Sequence, residues 1–168
     1  MLNDCLPAAS GWSIIDFYNL PKDAYYAFKR CSGKLVISFD KAEDGKISLY
    51  ASAKGGEICG ASVTVYKLKG AKAEKIHEGV CDTIPDGSRI VYTYREELAD
   101  GEVLIADIKS GDAKDRTFYK NGSLKIKPAA ATLKVNKKER TVTVSSDEYI
   151  HAIELTADAI FSDNCFSL

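Results

Sequence analysis

Between Lys34 and Lys127 apolar residues recur at every second position, and that regularity removes most of the folds open to a chain of this length. Leu35, Ile37 and Phe39 alternate with Val36 and Ser38, and Ile47, Leu49 and Ala51 alternate with Ser48 and Tyr50. The same period runs through residues 61–68, 74–80, 89–94, 102–108 and 115–119. Successive side chains of a strand point to opposite faces, so a period of two buries one face and wets the other. Asp44-Gly45, Asp86-Gly87, Asp100-Gly101 and Asn121-Gly122 fall between the runs, and such pairs accept the positive φ angles of tight turns. Seven short strands in about ninety residues is the count of an immunoglobulin-like or fibronectin-like β-sandwich. The one Trp, Trp12, lies outside this stretch, so the Cys…Trp…Cys core of antibody domains is absent.

Both flanks read differently. In residues 1–33, Pro21 suits the first position of a helix, and Ala24, Ala27, Phe28 and Cys31 share one helix face, with Gly33 ending it. That apolar face needs cover, so the helix is expected to pack on the sandwich, with Trp12, Tyr25 and Tyr26 adding apolar surface. Residues 128–168 open on a short linker, Pro128-Ala129-Ala130. Leu133 and Val135, then Val142 and Val144, then Tyr149, His151, Ile153 and Leu155 read as three further strands, too few to close a sandwich alone. Asp163 and Asn164 are expected in a turn, their short side chains bonded to the backbone. The expected fold is mostly β, with one short helix, an immunoglobulin-like β-sandwich over 34–127, and a partial second sandwich over 128–168.

Several function classes drop out on composition. A net charge of −1 offers no basic face for nucleic acid. The apolar runs are far shorter than the ~20 residues that span a bilayer, so no membrane partner is expected. The N-terminus lacks the basic and apolar regions of a signal peptide. The five cysteines, Cys5, Cys31, Cys59, Cys81 and Cys165, contain no C-x-x-C pair. Free, mostly buried thiols in a reducing, cytoplasmic compartment are expected, with no metal and no cofactor. His77 and His151 have no second His or Cys at ligand spacing, and no G-x-S-x-G elbow is present. The 24 acidic residues sit mostly at turns or on the polar phase of strands, so no catalytic carboxylate pair is expected in this chain.

The two ends carry a more specific signal. Asn3-Asp4-Cys5-Leu6-Pro7, Gly11-Trp12-Ser13-Ile14-Ile15-Asp16-Phe17 and Pro21-Lys22-Asp23-Ala24-Tyr25-Tyr26-Ala27-Phe28-Lys29-Arg30 resemble the end of the catalytic barrel in the β-mannosidases of glycoside hydrolase family 2. Phe161-Ser162-Asp163-Asn164-Cys165-Phe166-Ser167-Leu168 is similar to the F-S-D-N-x-F-x-L segment of the same enzymes' last domain. Leu6 stands where that family usually has Trp, and Gly11 looks like a one-residue insertion.

The resemblance implies that residues 1–33 are the tail of a catalytic barrel. It implies that the chain is the accessory, non-catalytic C-terminal part of an enzyme that hydrolyses terminal β-mannosides. The catalytic acid of the family lies in an N-E pair within the barrel, and this sequence has no Asn-Glu dipeptide. No catalytic residue is therefore assigned. Asn3 and Asp4 match a loop near the sugar site, where a substrate-side or a structural role is expected. The implied partner is the catalytic barrel, with self-association through the surface that faces it. A free-standing carbohydrate-binding or adhesion module, and the same region of a family 2 β-galactosidase or β-glucuronidase, are the alternatives.

Overall fold

A computed structural model describes residues 3–4, 11, 13–70, 72–123, 130–157 and 159–167. Trp12, Cys5, Leu6, most of the linker (Pro128 and Ala129) and Leu168 lie outside the described residues. The chain divides into two compact units, Ser32–Lys127 and Met1–Cys31 together with Pro128–Leu168. The first and last zones of the sequence thus share one unit.

The unit Ser32–Lys127 is the β-sandwich. Its strands are β1 (Leu35–Lys41), β2 (Ile47–Ala53), β3 (Ile58–Lys69), β4 (Lys72–Ile84), β5 (Gly87–Tyr94), β6 (Val103–Ser110) and β7 (Ala113–Lys120). They form a three-stranded sheet in the order β1-β2-β5 and a four-stranded sheet in the order β4-β3-β6-β7, antiparallel throughout. Alternation decides what is buried: along β2 every odd-numbered residue from Ile47 to Ala53 is buried. Leu35, Ile37, Leu49 and Ala51 from one sheet meet Val63, Val65, Ala106 and Ile108 from the other in a single core. Gly45 and Gly101, in two of the expected tight turns, both have φ 82°, a conformation open to glycine at little cost.

Side chains also tie the sheets together. Asp115 on β7 accepts a 2.9 Å hydrogen bond from the Ile37 N–H, which closes part of the free edge of β1. Lys67 on β3 places Nζ 3.0 Å from the Tyr94 hydroxyl on β5 and 3.0 Å from the Glu102 carboxylate, just before β6. The bonds to Tyr94 and then to Glu102 hold the Lys67 ammonium well above the ordinary lysine range. Lys67, and then the Ala99 N–H, hold the Glu102 carboxyl below its ordinary value.

In the other unit, helix α1 spans Asp23–Cys31. Pro21 is not its first residue: Pro21 bridges Ile15, and the Lys22 N–H donates to Ile14 O at 3.0 Å. The helix starts at Asp23, an acid in the first turn, and carries Lys29 and Arg30 in its last, as the helix dipole favours. The buried helix residue is Tyr26, 3% exposed, whereas Phe28 is 61% exposed and Ala24, Ala27 and Cys31 are also exposed. Ala24, Ala27, Phe28 and Cys31 are therefore not the residues that this unit buries. The opposite face is covered, because the Tyr26 hydroxyl meets the Phe161 backbone within the same unit.

Residues 128–168 yield two strands, β8 (Thr132–Asn136) and β9 (Thr141–Ser145), paired as a hairpin. The expected third strand around Ile153 is reduced to one bridge, Ile153 with Phe166. Left-handed backbone at Ala152 (φ 56°) and Cys165 (φ 55°) breaks the ladder on both sides, and the Asn164 side chain takes the place of a backbone partner for Leu155. Leu133 and Val135 are 56% and 65% exposed, so the apolar face of this hairpin is not buried as its pattern suggested.

Candidate functional site

Asn3 and Asp4 sit in a small ladder of extended segments. Asn3 bridges Ile15, which in turn bridges Pro21, and the Asp4 N–H donates to Ile15 O at 3.0 Å. This stacking sets residue 4 beside residues 13 and 22. Lys22 Nζ lies 2.5 Å from Asp4 Oδ2, and the Ser13 hydroxyl bonds Asp4 Oδ1. The Asp4 side chain is only 4% exposed. Lys22 first, and Ser13 second, hold its carboxyl below the ordinary aspartate range. Lys22 also donates to Ser13 Oγ at 3.2 Å and to the Gly11 carbonyl at 3.4 Å. A carboxylate so enclosed fastens the loop. Asn3 is different: it is exposed, and its Nδ2 donates to Asn19 Oδ1 at 2.8 Å.

Gly11, an apparent insertion by sequence, has a physical reason in this site. A Cβ on it would stand 2.1 Å from Asp4 Oδ1 and 3.1 Å from Asp4 Cγ. The carboxylate cannot swing aside without leaving Lys22 and Ser13. Gly11→Ala should therefore unseat Asp4 and lower the thermal midpoint of this unit by several degrees. Calorimetry on the variant checks this, and an unchanged midpoint would show that the loop has room to relax.

The two stretches that carry the sequence resemblance meet each other. Arg30, on α1, bonds Asp163 Oδ1 at 2.5 Å and donates to the carbonyls of Asn164 and Cys165 at 3.0 and 3.1 Å. Lys29 Nζ donates to Ser162 O at 2.7 Å. Asn164 is 7% exposed. Its Oδ1 accepts from the N–H groups of Leu155 (2.7 Å) and Cys165 (3.0 Å), and its Nδ2 donates to Leu155 O (2.9 Å). Asp163 accepts the Asn164 N–H at 2.9 Å, so both residues bond the backbone as expected of this turn. Periodicity alone gave no hint of this joint, because its groups are polar and lie at opposite ends of the chain.

The remaining chemistry-bearing side chains are held in place. His77 stacks on Tyr92 with centroids 4.6 Å apart, and Gly79 leaves room for its ring. His151 Nδ1 lies 3.1 Å from the Tyr149 hydroxyl and 3.3 Å from that of Ser167. Burial, then Asp23, pushes the Cys165 thiol up to about 11, so it stays protonated at neutral pH. Cys31 and Cys59 are exposed and Cys81 is half-buried, which corrects the expectation of mostly buried thiols. Among the described residues no group of His, Cys, Asp or Glu could hold a metal ion, and no helix is long and apolar enough to cross a membrane.

No family model matches the chain, and no curated protein matches it. Among solved structures it is similar to the β-D-mannosidase of Dictyoglomus thermophilum, with a TM-score of 0.76 and 20% identity, over 99% of this chain and 22% of that one. The fold of this chain is thus the fold of a segment of that enzyme, and the chain spans 22% of the enzyme's length. The β-glucuronidase of Parabacteroides merdae aligns with 72% of this chain and 16% of its own, at 12% identity and a TM-score of 0.33, too low to carry an argument.

Proposed function

We propose that this chain is the accessory, non-catalytic C-terminal part of a glycoside hydrolase resembling the family 2 β-mannosidases, and that it braces a catalytic barrel. One observation carries the reading: 99% of the chain follows the fold of a segment that makes up 22% of a β-mannosidase. In this reading the parent hydrolyses terminal β-mannosides. The open α1 face, with Phe28 at its centre, meets the barrel. Asn3 stands on the substrate side of its loop, and Asp4 serves as a positioning residue through Lys22 and Ser13.

Two measurements test the proposal. The purified chain should turn over no aryl β-mannoside, β-galactoside or β-glucuronide. Turnover above an inactive control, removed by mutating an acid of this chain, would sink the accessory reading. An uncovered apolar face drives association when its partner is absent. The chain should therefore self-associate with rising concentration in sedimentation runs, and Phe28→Glu should reduce that association. A wild-type chain that stays monomeric at high concentration would contradict the docking face.

A further inference from the structure

One end of the sandwich carries a cleft of about 340 Å³. Its floor is apolar, from Ile47 and Leu98, and Tyr119 supplies an aromatic wall. Its rim mixes donors and acceptors: Lys41, Arg95 and Asn121 against Asp44, Glu96 and Glu97. Asp44 is ion-paired with Lys46, and Glu96 accepts the Tyr94 hydroxyl at 3.3 Å, so two cations, Lys41 and Arg95, stand against Glu97 and a partly engaged Glu96.

The walls are fixed before any ligand arrives. Asp44 Oδ1 accepts the Lys46 N–H at 3.1 Å, and Gly45 N–H donates to Ala42 O at 3.0 Å. Opposite, Asn121 Nδ2 donates to Leu98 O at 2.6 Å, and Glu102 Oε2 accepts the Ala99 N–H at 3.0 Å. Binding to such a site loses little to loop ordering.

The lining selects a ligand class. A phosphate would meet Lys41 and Arg95 but also Glu96 and Glu97, with no helix N-terminus in the lining to tip the balance. A metal ion would meet Glu96 and Glu97 but be repelled by Lys41 and Arg95 on the same rim. A purely apolar molecule would strip water from the charged rim without replacing its hydrogen bonds. A pyranose suits all three parts: its hydroxyls both donate and accept, so guanidinium and carboxylate can each be satisfied, and its C–H face packs on an aromatic ring. The volume lies at the small end of ligand sites, enough for one or two sugar units.

We propose that this cleft is a binding site for a neutral saccharide of one or two pyranose units. The proposal rests on the cleft alone and is independent of the bracing role. With few buried contacts, the dissociation constant should be on the order of millimolar.

The test is a ¹H–¹⁵N titration of the full chain with methyl β-D-mannopyranoside, D-glucuronate and cyclohexanol. The expected result is saturable shifts with the mannoside, concentrated at residues 44–47, 95–98, 119 and 121, and weaker responses to the other two. Arg95→Ala and Glu97→Gln, both exposed positions that leave the core intact, should each weaken binding about tenfold, or ~1.4 kcal/mol. Tyr119→Ala should abolish it. No saturation at tens of millimolar, or shifts that survive both rim variants, would overturn the site. Equal or tighter binding of glucuronate or cyclohexanol would overturn the ligand class. Neither outcome would touch the bracing role.

Discussion

Replacing Asn164 by alanine should cost the unit that contains it about 2–4 kcal/mol. The side chain is 7% exposed and engages three backbone groups, the N–H and C=O of Leu155 and the N–H of Cys165. Truncation orphans all three in a place with little access for water, and an unpaired buried group costs about 1–3 kcal/mol. Asn164→Asp is the sharper variant: it keeps the size and both acceptor roles but puts a carboxylate oxygen against Leu155 O, so it should also destabilise. Asp163→Ala should cost less, about 1 kcal/mol: the Asp163 side chain is 48% exposed and Arg30 retains two carbonyls, so the main loss is the acceptor of the Asn164 N–H. Urea denaturation with amide exchange at Leu155 and Cys165 separates the three. Equal effects at positions 163 and 164 would mean that the Asp163 carboxylate holds the joint as firmly as the Asn164 side chain does.

Lys67→Met should lower the stability of the sandwich by about 2–3 kcal/mol at neutral pH. The Glu102 side chain is 11% exposed and would keep only the Ala99 N–H as a donor. Its folded-state pKa lies below the ordinary value of 4.5, so its contribution is present above that value and lost as pH falls through the folded one. Lys67 has the opposite sign: its folded pKa lies above the ordinary 10.5, so its contribution is complete below that and lost only as pH rises beyond it. The wild type should lose stability on the acid side more steeply than Lys67→Met, whose unpaired glutamate gains from protonation. Chemical denaturation at pH 3, 5 and 7 measures this. Parallel acid limbs would show that the pair contributes no pH dependence.

The sandwich was legible in the sequence because its signal is local. Alternation such as Ile47-Ser48-Leu49-Tyr50-Ala51 states which side chain is buried, and the Gly-bearing turns state where each strand stops. The rest depended on distant polar contacts that periodicity does not encode. The spacing of Ala24, Ala27, Phe28 and Cys31 was real, but it did not reveal that Tyr26 and Arg30 on another face find partners more than 130 residues away. The strand pattern around Ile153 was likewise real and was overruled by the Asn164 side chain and by left-handed backbone at Ala152 and Cys165. For the candidate site, Asn3 and Asp4 came from resemblance alone. Their chemistry turned on Ser13, Lys22 and Gly11, which spacing did not link to them.

The bond between Arg30 and Asp163 spans 133 residues of chain, with the whole sandwich lying between its ends. In an unfolded chain, closing a loop of that length is a pure entropic loss with little local reward. Every strand of the sandwich, by contrast, finds its partners within Ser32–Lys127. Folding of the intervening segment first converts a long floppy tether into a short one, and most of the closure cost is then met before α1 and its distant partners meet. During synthesis α1 must wait for residues 162–165 to emerge, so it is made before the sandwich and locked after it.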